Sequence, residues 1–150
     1  MTSVFWLKAG IFTVGGTLLA AIDLKTLRLP HALTLPLAAT GILFSFLPGN
    51  GITPLRSVLG FLTGIVLLGF LSWFRNGSMG FGDAVYSGAI GAYVGVFGLG
   101  IALFFGSGLA VIVRRKKKEP GAVGPYLAFG GLCSLIFLGL VGPGEGQVLF

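Results

Sequence analysis

Residues 83–113 read DAVYSGAIGAYVGVFGLGIALFFGSGLAVIV, with a single charge, Asp83, at the start. How this stretch is divided decides the fold. A helix rises about 1.5 Å per residue, so about 20 residues cross the hydrocarbon core of a bilayer. The run is too long for one upright span. Glycines 95, 98 and 100 gather near its middle, and glycine is the residue at which a helix most easily turns. The pattern predicts two shorter helices, about Asp83 to Val94 and Leu99 to Val113.

The rest of the chain agrees with a membrane setting. Of 150 residues, 55% are hydrophobic and 9% charged, and the mean hydropathy is +0.99. Soluble domains carry roughly 25% charged residues. So few charges cannot keep so much apolar surface in water. Runs such as Ile65 to Leu71 do not alternate apolar with polar residues, which argues against a membrane β-barrel. The expectation is an all-α, polytopic membrane protein. One membrane domain fills residues 1–150, without an internal repeat or a linker to a second domain.

Four further spans are expected, from about Val4 to Ile22, Ala32 to Leu47, Leu55 to Phe74 and Pro125 to Val141, which makes six. Pro48-Gly49-Asn50-Gly51 closes the second with turn-forming residues. The N-terminal stretch reads as a retained span rather than a cleaved leader. Lys25, Arg28, Arg75 and the cluster Arg114 to Lys118 then share one face, leaving only Lys8 and Arg56 for the other. Cations accumulate on the cytoplasmic side, so that face is predicted to be cytoplasmic. A single tilted helix over 83–113 would put the basic cluster opposite Asp83 and break the rule. The cluster reads as a topology signal able to touch acidic lipid, with no nucleic-acid partner. Cys133 is the only cysteine. It excludes an intrachain disulfide or a cysteine-rich zinc site and reads as a small buried hydrophobe.

The only aspartates are Asp23 and Asp83. Asp23 closes the first span and Asp83 opens the fourth, so the topology sends both to the cytoplasmic face. Ionisable groups at a bilayer are costly and mark function by default. Two neighbouring carboxyls repel, so one is protonated and one ionised, and together they can activate a water. Asp23 is followed by a polar turn through Pro30 and His31, in which Thr26 and Thr34 lie within reach of it. Gly80-Phe81-Gly82 precede Asp83 and give room for a substrate backbone. The plainer reading of each stretch is a loop with a helix-capping aspartate. His31, the sole histidine, reads as a loop residue, and the donor set suits no metal. Trp6, Trp73, Tyr93 and Tyr126 read as interfacial anchors or packing residues.

These residues carry a resemblance. Asp23, Leu29-Pro30 and Leu33-Thr34 are similar to the first active-site motif of type IV prepilin peptidases, membrane aspartyl proteases of the GxGD class. Met79-Gly80-Phe81-Gly82-Asp83, with the small-residue run Gly88 to Ala92, resembles the second. Gly124-Pro125-Tyr126-Leu127-Ala128 resembles a third element. The resemblance covers about 15–140. It implies cleavage of the basic leader of prepilins or pseudopilins, the subunits of type IV pili and type II secretion. The reaction would occur at the cytoplasmic face of the bacterial inner membrane.

Asp23 and Asp83 would be the catalytic pair, with Pro30, Gly80, Phe81, Gly82, Gly124 and Pro125 around the site and no cofactor. Two positions depart from the family pattern. Val85 stands where a lysine is usual, and His31 where asparagine or aspartate is. The chain resembles the peptidase half of longer members, without the cysteine-rich region associated with methylation, so no methyl transfer is expected. Two readings stand beside this one. A weak or inactive relative acting in assembly is motivated by Val85, and a small ion-coupled transporter by the same carboxyls.

Overall fold

The computed structural model describes residues 3–27, 29–74, 81–114 and 123–141, and within them all regular structure is α-helical. The helices are α1 (Ser3–Thr26), α2 (His31–Ser45), α3 (Pro54–Phe74), α4 (Phe81–Arg114) and α5 (Gly124–Val141). Four of them are long and apolar enough to cross a membrane, and α2 is a shorter apolar helix. The chain is a multi-pass membrane protein.

In lipid the inward face of a helix is chosen by size and polarity, since tails are as apolar as leucine. In α1 the buried residues are Lys8, Phe12, Gly16, Leu19 and Asp23, one stripe at helical spacing. Trp6, Leu7, Val14 and Leu18 face outward. In α3, Ser57, Gly60, Gly64 and Leu68 are buried, while Leu55, Val66 and Phe70 are exposed. Residues 82–95 of α4 are buried without interruption. This segment is the central element, and the most extensive contact of α4 as a whole is with α3. Gly60 and Gly91 meet backbone to backbone there, leaving no room for a side chain on either.

The predicted break falls at Gly95, which has φ 73° and ψ −177° inside α4. Glycine adopts this region at little cost and other residues almost never do. Glycines 98 and 100 are helical, so the break is narrower than the sequence suggested. The chain reverses here. Gly131 packs on Phe12 and Ile90, while its neighbour Gly130 packs on Ala102 and Gly106. Residues 90 and 102 therefore lie at one level, whereas an unbroken helix would separate them by about 18 Å. Segments 81–94 and 96–114 form a helical hairpin, as the charge argument required.

A reversal inside a membrane leaves carbonyls without helical partners, and each must be satisfied by protein. Ser57 donates to the Ala92 carbonyl at 2.6 Å, and Ser134 donates to the Gly98 carbonyl at 2.7 Å. Ile52, from the α2–α3 connection, packs beside Gly95. These contacts fix the direction of every helix. The ends of α1, α3 and α4 share one end of the molecule with the starts of α2, α4 and α5. Gly95 lies at the other.

Lys8, counted above on the face opposite the aspartates, lies near that end of α1 and is 2% exposed in its stripe. One expectation needs correction: Cys133 is half-buried rather than buried, and its thiol is free.

Candidate active site

Asp23 does not end its helix as the hydropathy suggested. α1 continues to Thr26, and Leu27 N–H closes the last turn on the Asp23 carbonyl at 2.8 Å. Asp23 thus lies one turn inside, on the buried stripe, and is 3% exposed. Thr26 donates to the Ile22 carbonyl at 2.9 Å, within the helix. Leu27 takes a left-handed φ of 52°, a conformation costing a non-glycine residue about 1–2 kcal/mol. The chain therefore turns sharply after Asp23.

That turn delivers Leu29 to α4. Leu29 is buried, and a Cβ on Gly82 would sit 2.7 Å from its carbonyl oxygen and 3.0 Å from its Cβ. The room offered by Gly82 is thus filled by this chain's own backbone rather than left for a substrate. Two residues on, the His31 ring meets Phe81 edge to face at a centroid separation of 5.9 Å. His31 and Phe81 are exposed. Between Leu29 and His31, Pro30 caps the start of α2 in extended conformation, with φ −72° and ψ 125°. Its carbonyl accepts the Leu33 and Thr34 N–H groups. Thr34 is fully buried and turns its hydroxyl back toward the Pro30 and His31 carbonyls, both at 3.4 Å.

Asp83 occupies the first turn of α4, two residues past Phe81, and is 9% exposed. It lies inside the helix rather than capping it. Val85, at the position of the departure noted above, is buried. Gly80 and Met79, assigned to the same motif, lie outside the described residues.

The third motif closes on Asp23. Gly124 is the first residue of α5, and its N–H donates to Asp23 Oδ2 at 2.7 Å. The opening N–H groups of a helix have no partner within it and carry partial positive charge. Asp23 supplies that partner from another helix. A Cβ at position 124 would lie 2.8 Å from Oδ2 and 3.2 Å from Cγ, so only glycine fits. Pro125 follows, at a position where a missing N–H costs nothing. Asp23, Pro30, Phe81, Gly82, Asp83, Gly124 and Pro125 are gathered at one end of the helices.

Sequence reasoning missed one residue here. Tyr86 is fully buried on α4, three positions after Asp83 and hence on its face. That spacing was the available signal. Among the described residues, no three His, Cys, Asp or Glu side chains form a group.

Comparison with known proteins adds an independent line. Residues 10–114 match the model of the type IV leader peptidase family. A prepilin leader peptidase/N-methyltransferase of Aeromonas salmonicida (strain A449) is 36% identical over 133 residues, covering 79% of this chain and 45% of the relative. A protein of the same name from Pectobacterium carotovorum subsp. carotovorum is 36% identical over 134 residues, covering 81% and 48%. One from Neisseria gonorrhoeae is 35% identical over 136 residues, covering 79% and 47%. The chain thus spans a little under half the length of these relatives. No solved structure gives a significant match.

Proposed function

The chain belongs to the type IV leader peptidase family, and on that premise we propose that it is an aspartyl endopeptidase of the bacterial inner membrane. Its substrates are prepilins or pseudopilins, which it cleaves after the basic leader at the cytoplasmic face. Asp23 and Asp83 are the catalytic pair. The observation that carries the reading is the joining of three separate motifs at one end of the helices. Gly124 N–H holds Asp23 Oδ2, while Leu29 seats against Gly82 beside Asp83.

The chemistry follows from two carboxyls in different protonation states. The ionised carboxylate takes a proton from a water as the oxygen attacks the scissile carbonyl carbon. The protonated carboxyl gives its proton to the carbonyl oxygen, which neutralises the charge developing there. Collapse of the tetrahedral intermediate breaks the C–N bond, and the leaving amine takes up a proton from the pair. The Gly124 bond occupies one oxygen of Asp23 and fixes the plane of its carboxylate. Orientation of this kind lowers the barrier without taking part in bond making.

Cation placement supports the orientation. α1 carries Lys25 in its last turn and α4 ends at Arg114, both at the aspartate end. A prepilin co-expressed with this chain, or with its Asp23→Asn or Asp83→Asn variant, tests the proposal through the size of the pilin. Leader removal by the wild type and by neither variant is expected. Full processing by both variants would exclude an aspartate mechanism.

A further inference from the structure

Tyr86 crosses from the helix of one aspartate to the helix of the other. It follows Asp83 by three residues on α4 and is 0% exposed. Its hydroxyl reaches α1 at Gly16, where a Cβ would stand 3.1 Å from the phenolic oxygen. Gly16 and Asp23 lie on the same buried stripe of α1, two turns apart. The ring therefore spans the helix pair beneath the carboxyls.

The hydroxyl is buried and has no hydrogen-bond partner in the protein. A buried polar group left so is destabilising. A phenylalanine ring would brace the same helices without that cost. Ser87, whose buried hydroxyl also lacks a partner, can rotate onto the carbonyl of its own preceding turn. A tyrosine hydroxyl cannot reach its own backbone. Tyr93, two turns further along α4, shows the satisfied case, with its hydroxyl 2.6 Å from Thr40 Oγ1.

We infer that Tyr86 is a positioning residue for the Asp23–Asp83 pair, its hydroxyl donating from beneath through intervening water. The inference rests on the peptidase reading above. Water accepts from Tyr86 Oη and passes the hydrogen-bond chain on toward the carboxyls, which holds the pair and its reacting water in register. The residue touches neither substrate nor the reacting atoms.

The test compares full-length wild type, Tyr86→Phe and Tyr93→Phe, purified in detergent, in cleavage of a prepilin and in thermal unfolding. Tyr86→Phe is expected to lower kcat about 10- to 100-fold, as loss of a supporting hydrogen bond behind a reacting group does. KM and the unfolding midpoint should stay at their wild-type values, or the midpoint should rise. Tyr93→Phe should lower the midpoint and leave kcat unchanged. A wild-type kcat in Tyr86→Phe would overturn the inference. So would a joint fall of kcat, substrate affinity and midpoint, since that marks a structural brace alone. A wild type inert on every prepilin would overturn the peptidase reading and this inference with it.

Discussion

The Gly124 amide and the Asp23 carboxylate are joined by a 2.7 Å hydrogen bond across 101 positions of sequence. The bond ties the start of the last helix to the last turn of the first. It explains why a Gly-Pro pair belongs to the site although neither residue has a reactive side chain. Gly124 supplies an N–H without a Cβ, and Pro125 begins the helix that aims it.

Gly124→Ala is therefore predicted to abolish most cleavage while leaving the helices intact. The added Cβ would stand 2.8 Å from Oδ2 and push the carboxylate aside. A displacement of about 1 Å at a reacting group can cost on the order of 100-fold in rate. Kinetics on a prepilin, with circular dichroism as the check on folding, would measure it.

Gly95→Ala is predicted to destabilise the protein by about 1–3 kcal/mol, because Gly95 occupies a backbone region nearly closed to other residues. The site itself lies at the other end of the hairpin. Gly100→Ala is the contrast, since position 100 is helical and a Cβ there meets nothing within 4 Å. It should be neutral or gain up to about 1 kcal/mol from helix propensity. Thermal unfolding in detergent distinguishes the two.

Lys8→Met is predicted to raise stability. Lys8 is 2% exposed, and both described acidic residues, Asp23 and Asp83, sit at the far end of the helices. Burying a lysine in a span costs up to about 2.5–3.5 kcal/mol, the value that insertion scales give at a helix centre, and methionine fills similar space without charge. An unfolding midpoint below that of the wild type would show that the lysine has a stabilising role.

What the sequence made legible follows from the physics each feature obeys. Helix positions are set by apolar length against bilayer thickness, so the spans lay within a few residues of the observed helices. The hairpin at Gly95 was readable because the basic cluster would otherwise fall opposite Asp83. Details set by tertiary contact were hidden. Hydropathy ended the first span before Asp23, since a charge looks like a boundary, yet the helix runs one turn further to Thr26. Lys8 fell within the first span, but composition cannot show which face of a helix is covered, so its burial was not legible. The space at Gly82 looked ready for substrate, but the neighbour that fills it, Leu29, comes from another helix connection. Tyr86 was passed over because a buried tyrosine becomes informative only when its hydroxyl is seen without a partner.

The central claim is that Asp23 and Asp83 together cleave a prepilin leader. The most direct measurement incubates the purified chain in detergent with a prepilin and reads the products by mass spectrometry, beside Asp23→Asn and Asp83→Asn. The account predicts one cut after the basic leader with the wild type and none with either variant, while all three unfold at similar temperatures. Cleavage at an undiminished rate by a variant lacking either carboxylate would contradict it.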